Sequence, residues 1–345
     1  MQTKKYSNKE IVTAVFEREN LHMIPKAMVA IGYMIAKSGR PPAELMSSPD
    51  IYAEMCVQFA EDYEMCLNPV GFFKDIVATM GGGLINRDGK VSEDGCETLL
   101  TPDLIEALNN YDCAKSRNLE DIANKIKAMK QRDSDTPTFA IVNNQCMIAS
   151  ELIGAGLYYR KVVKQPEFVK EVQQKVENPL FEGLERLAEA GLDIVWVPMP
   201  TMGGTCIRKE TYVNVHHEYS KRMVEHCHNL GIKVIIHTCG KWNDRFDVVI
   251  DEKPDMLHLS QTNIADFHHN WGSKVSMMGN ISVVETLMQK TPDEVYNEAF
   301  AMCIDAASDG TYVIAPDCGM DGSIPEENVR AMYRAADDAN KELFG

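Results

Sequence analysis

Three residues carry the chemistry best suited to a site: His237, Cys239 and Cys318. His237 and Cys239 stand two apart at the end of the apolar run KVII, residues 233–236. If that run is a strand, imidazole and thiol leave it on the same face. Cys318 follows a second such run, TYVIA at 311–315. One imidazole with two thiols is a familiar zinc set, and three protein ligands leave a position open for substrate, as catalytic zinc requires. The same pattern arises without a metal, with the cysteines as small buried hydrophobes, and no CxxC pair decides between the two. The remaining cysteines fall in helical or loop patterns and read as packing.

Other polar groups also follow apolar runs. Asn143 follows TFAIV (138–142), Gln261 follows MLHL (256–259) and Asn280 follows VSMM (275–278). All three are candidates to orient a substrate, and each could instead satisfy backbone groups. After DIVWV (193–197) come Met199, Met202 and the pair Gly203-Gly204. The methionines could form an adaptable apolar wall, and the glycines would let backbone approach a ligand. Trp196 could join that wall or, inside its run, pack in the core, and His258 reads as a satisfied core histidine. His216, His217, His226 and His228 lie in a helical pattern, where solvent or interface exposure is the expectation.

The elements that must position these residues alternate along the chain. Six short runs rich in β-branched residues lack clean polar alternation, which suits strands buried on both faces of a parallel sheet. Weaker strand candidates at 23–29 and 66–72 bring the number to eight. Between the runs lie helical patterns. Apolar positions over 208–230 step by three or four and stop at Gly231. A similar stretch at 169–187 contains Pro179, which is expected to kink or divide it. Asp88-Gly89 signals a small β-hairpin insertion at 84–100. The reading is an α/β chain forming one (β/α)8 TIM barrel over residues 1–345, with residues 1–22 an N-terminal helical extension. A doubly wound open sheet lacks the GxGxxG that would follow an early strand. On this count His237 ends the fifth strand and Cys318 follows the eighth, so the ligands must converge across the barrel mouth.

Composition sets the outer limits. Hydrophobic residues are 45% and charged residues 25%, which is ordinary for a globular chain. No apolar run approaches the ~18 residues that cross a bilayer. The start, MQTKKYSNKE, has no apolar stretch after its lysines, so a cytoplasmic location is expected. There, ten cysteines do not make a disulfide framework. A net charge of −16 makes nucleic acid and anionic membrane poor partners.

Several stretches resemble the uroporphyrinogen decarboxylase superfamily, and more closely its cobalamin-dependent methyltransferase branch. Ile235-Ile236-His237-Thr238-Cys239-Gly240 matches a "hydrophobic–His–x–Cys–Gly" strand end. Gly279-Asn280-Ile281 matches a "Gly-Asn-Ile" strand end. Asp317-Cys318-Gly319 followed by Pro325-Glu326-Glu327-Asn328 matches a terminal "Cys-Gly … Pro-x-x-Asn" signature. Ala149-Ser150-Glu151-Leu152-Ile153-Gly154 resembles the helix after the second or third strand. The resemblance implies a distorted (β/α)8 barrel and, in the methyltransferase branch, zinc held by His237, Cys239 and Cys318. The decarboxylases carry a "Met-Arg-Gln-Ala-Gly-Arg" segment that grips substrate carboxylates. The nearest stretch here, Met34 to Arg40, keeps one arginine of the two. Phe72-Phe73-Lys74-Asp75-Ile76 resembles the decarboxylase stretch whose aspartate is catalytic, which makes Asp75 a candidate pocket acid or a helix N-cap.

The resemblance thus implies a zinc-dependent methyltransferase, with Asp75 and Asn280 as candidate catalytic residues. It would move a methyl group between a small methylated substrate, a methyl ether or thiol, and a corrinoid carried on a corrinoid-binding partner protein. A homodimer is compatible with it. The alternatives are a tetrapyrrole decarboxylase, a lyase that needs no metal, and a non-catalytic corrinoid-binding barrel.

Overall fold

The β-branched runs form strands that pair in chain order, all parallel. They are β1 (Asn68–Phe73), β2 (Thr138–Val142), β3 (Ile194–Pro198), β4 (Lys233–Thr238), β5 (Met256–Leu259), β6 (Ser276–Met278) and β7 (Tyr312–Val313). This is a computed structural model, which describes residues 6–73, 109, 111–307 and 311–345. The expected hairpin at 84–100 and Asp75 lie outside the described residues.

The expected first strand at 23–29 is reduced to one residue. Lys26 bridges Met65 on one side and Ile314 on the other, both in parallel. Cys66 N–H donates to Lys26 O at 2.9 Å, and Ala27 N–H donates to Ile314 O at 3.0 Å. Pro25 has no N–H to extend the ladder, yet its carbonyl accepts from Ile314 N–H at 2.9 Å. This single bridging residue links the two edges of the sheet, so the seven strands and Lys26 make a closed barrel.

Two apolar faces follow from the period of two along each strand. Ala140, Val142, Val195, Val197, Val234, Ile236, Leu257 and Leu259 face the surrounding helices. Phe139, Ile194, Trp196, Ile235, Met256, Met278 and Val313 face inward. Ile11, Val12, Val15 and Phe16, from the N-terminal helix Asn8–Glu17, join the inward cluster. That helix starts on a capping box, in which Ser7 Oγ accepts from Glu10 N–H and the Glu10 carboxylate accepts from Ser7 N–H. It stoppers the barrel floor, with Ser276 Oγ donating to Val15 O and Arg18 to Lys274 O at 3.3 Å. A stoppered floor leaves the carboxyl ends of the strands as the open side.

The surrounding helices refine two expectations. Pro179 does not divide its stretch but lies inside one helix, Pro166–Glu189. The 208–230 pattern forms two helices, Lys209–Val215 and His217–Asn229. They break at His216, which is fully buried rather than exposed. Its ring lies between Tyr158 Oη at 2.7 Å and Gln173 Oε1 at 2.8 Å, a satisfied core position that an amphipathic count cannot distinguish from a surface one.

Candidate metal centre

The inward row of β4 runs Ile235, then His237, and the same face continues into Cys239 beyond the strand. Gly240, at φ +82°, turns the chain away immediately afterwards. Cys318 arrives from the turn after β7. The ligand atoms of His237, Cys239 and Cys318 all lie within 4.8 Å of one another. The fifth and eighth positions of the barrel therefore do converge across the mouth. Cys318 Sγ is 3.6 Å from His237 Nε2.

The orientation of His237 is fixed from behind. Its Nδ1 lies 3.3 Å from the carbonyl oxygen of His258, an atom that can only accept. Nδ1 therefore carries the hydrogen, and in the neutral ring Nε2 presents a lone pair toward Cys318. Trp196 stacks on the same ring, with centroids 4.7 Å apart and planes 19° apart. His258 is itself locked. Its Nδ1 accepts from Trp196 Nε1 at 3.2 Å, and its Nε2 donates to Pro316 O at 2.8 Å. Burial holds its ring well below the usual imidazole range, so it stays neutral.

The two thiols behave differently. Cys318 is pulled below the usual thiol range, first by the hydrogen bond from Cys239. The same pairing, with burial, pushes Cys239 up. One sulfur is thus already biased toward thiolate, the form that binds metal. A tautomer-fixed imidazole and two converging thiols form a donor set that suits zinc.

Neighbouring loops brace this cluster. Asp317 accepts from Val283 N–H at 2.9 Å and from Ser260 Oγ at 3.2 Å, and burial raises its carboxyl above the usual range. The loop after β3 is stapled by the fully buried Arg245, which donates to Met202 O at 2.9 Å and Ile207 O at 2.8 Å. Gly203 lets that loop settle beside the candidate ligands, since a Cβ there would stand 3.2 Å from Cys239 O.

Two cavities meet at Cys318 and Gly319. One, of about 360 Å³, is apolar and opens over all three candidate ligands. Ile31, Phe72, Ile141, Trp196, Pro198 and Met320 belong to its wall. The other is a groove of about 960 Å³ between the loops after β5, β6 and β7.

The remaining sequence candidates fall in different places. Gln261 is exposed and lines the larger groove. Asn280 lines it too, and its amide donates to both Ser260 O and Thr262 O, at 2.5 and 2.6 Å. Asn143 is buried and donates to Glu151 Oε1 at 3.0 Å. Met199 and Met202 are fully buried and line neither cavity, because the Arg245 staple folds their loop into the core. Asp75 cannot be placed, lying outside the described residues. Trp196, read as core packing, is buried in the inward cluster and also belongs to the pocket wall. Counting by two from buried Ile194 would have put it, with Pro198, on the inner face. The roles of Ile31 and Met320 carry no comparable sequence signal, since both lie off the strands.

Residues 7–339 match the family described as uroporphyrinogen decarboxylase (URO-D). The chain belongs to the uroporphyrinogen decarboxylase family. It is 21% identical over 350 aligned residues to a methylcobamide:CoM methyltransferase, MtaA, of Methanosarcina barkeri, covering 97% of this chain and 98% of that one. It is 24% identical over 206 residues to a methylated-thiol–coenzyme M methyltransferase of Methanosarcina mazei, covering 60% of this chain and 54% of that one. Among solved structures, a methyltransferase from Methanosarcina mazei superimposes with a TM-score of 0.77 at 17% identity, covering 97% of this chain and 99% of that one. That likeness bears on the fold, and places this URO-D family member among TIM-barrel proteins. Among its described residues, no helix is long and apolar enough to cross a membrane.

Proposed function

We propose that this URO-D family member is a zinc-dependent methyltransferase. It moves a methyl group between a small methylated substrate, a methyl ether or thiol, and a corrinoid carried on a partner protein. The observation that carries this reading is the convergence of His237, Cys239 and Cys318 within 4.8 Å at the floor of an apolar pocket. The full-length relative named for methylcobamide and CoM supports the corrinoid and the methyl transfer. The described cysteines are all free thiols, which supports a reducing compartment such as the cytoplasm.

A zinc ion on these three residues would supply a Lewis acid with one coordination position left for a substrate sulfur or oxygen. The chain's own residues prepare that position. His258 O holds the hydrogen of His237 on Nδ1 and keeps Nε2 available. The Cys239–Cys318 pair favours thiolate at Cys318. Two thiolates and a neutral imidazole balance a divalent charge. Phe72, Ile141, Trp196 and Met320 exclude water around the reacting atoms. Asn280 and Asp317 act as braces that hold the β5 and β6 loops at the mouth.

The decarboxylase alternative needs cations for substrate carboxylates. Arg40, the arginine kept from that family's clamp, pairs with Glu54 at 2.8 Å and lines neither cavity at Cys318. This favours methyl transfer. The test is optical: purified protein mixed with cob(I)alamin and methylated ethers or thioethers, and with methylcobalamin and thiols. Interconversion of the two cobalamin spectra supports the reading. Loss of porphyrinogen carboxylates with inert cobalamins would replace it with the lyase.

A further inference from the structure

The two cavities that meet at Cys318 share an electrostatic property that bears on the substrate. Among the described residues, no lysine or arginine lines either one. Among the described residues, His237, Cys239 and Cys318 are the titratable groups of the smaller pocket, and the others that line it are aliphatic, aromatic, proline or glycine. The larger groove carries four carboxylates, from Glu285, Glu298, Asp305 and Asp317. One of the four, Glu298, is paired with Lys290, which lies outside the lining.

We propose that the group bound in the small pocket is an uncharged, apolar thiol or methyl ether, and that the site selects against substrates bearing a sulfonate, carboxylate or phosphate. This rests on the metal-site reading above and deepens it by naming the substrate class. An anion placed in the apolar pocket would lose its hydration, and among the described lining residues no lysine or arginine would replace it. Turned toward the groove, it would face carboxylates. A neutral alkyl or aryl group instead buries its surface against Ile31, Phe72, Ile141, Trp196 and Met320, at about 25 cal/mol per Å² of apolar area removed from water. The roughly 360 Å³ of the pocket suits a group of a few heavy atoms up to one aromatic ring.

The test does not depend on turnover. Co²⁺ replaces zinc in the purified protein, and its absorption bands report each thiol as it binds. 3-Mercaptopropionate is titrated against its own methyl ester, which differs chiefly in charge, with benzenethiol and mercaptoethanesulfonate as a second pair. The proposal expects the neutral member of each pair to bind about tenfold more tightly or better. It also expects Ile31→Lys, which sets an ammonium at a half-buried position on the pocket wall, to narrow that gap. Equal or tighter binding of the anionic thiols overturns the proposal and leaves the metal-site reading standing. So does an unchanged gap in an Ile31→Lys protein that still takes up Co²⁺. Failure of the wild-type protein to bind Co²⁺ at all overturns both.

Discussion

The imidazole of His237 rests on the backbone of His258: Nδ1 stands 3.3 Å from that carbonyl oxygen, and the two rings lie 4.6 Å apart. His258 reaches further. Its own ring joins Trp196 on β3 to Pro316, two residues before Cys318. One buried histidine therefore ties together the segments that carry the imidazole, the aromatic wall and the second thiol.

Replacing it separates that scaffold from the ligands. His258→Phe keeps an aromatic ring but leaves the Trp196 N–H and the Pro316 carbonyl without partners. We expect a loss of about 1–3 kcal/mol in urea unfolding. Zinc affinity should weaken about 10–100-fold, read by competition with a chromophoric chelator. Unchanged affinity would mean that the bracing of His237 does not depend on the His258 ring.

His216 predicts an acid-sensitive component of stability. Burial lowers its ring from 6.5 to about 3. Between those values the unfolded chain takes up a proton that the folded chain refuses. Stability is therefore complete above pH 6.5 and falls as pH drops toward 3, by about 1.4 kcal/mol per pH unit from this one group. Urea unfolding of the metal-free protein at pH 7 and pH 5 measures it. His216→Gln should flatten the dependence by that share, whatever it costs at pH 7. An identical slope in the variant would show that the ring titrates freely in the fold.

Asn280 separates bracing from catalysis. Its amide donates to the carbonyls of Ser260 and Thr262, so Asn280→Ala removes both bonds, although Ser260 O still accepts from Thr262 N–H at 2.7 Å. The expected cost is about 1–3 kcal/mol, with zinc content retained. A variant with full stability but lost methyl transfer would instead place the side chain among the reacting groups.

The barrel was legible because its strands are short, β-branched and buried on both faces, a pattern that survives without neighbours in view. TFAIV became β2 at its expected boundaries. His237 and Cys239 were legible for the same reason, since a period of two fixes their shared face. The closing element at Lys26 was only faintly visible, because one bridging residue leaves no periodic trace. Met199 and Met202 were expected at a wall and lie in the core. Beyond a strand end alternation stops, and the direction of their loop is set by Arg245, more than 40 residues later. Asn328 shows the same limit. Its "Pro-x-x-Asn" motif is readable, but its work, donating to Leu287 O and Lys290 O at 2.8 Å each, appears only in the fold.

The central claim is that His237, Cys239 and Cys318 form one metal site. Zinc stoichiometry, measured by elemental analysis after equilibration with limiting chelator, tests it most directly. We predict about one zinc per wild-type chain, and near none in Cys239→Ser and Cys318→Ser proteins that keep their circular dichroism. A wild-type protein that is folded yet binds no zinc, or a Cys318→Ser protein that binds it as tightly as wild type, would contradict the account.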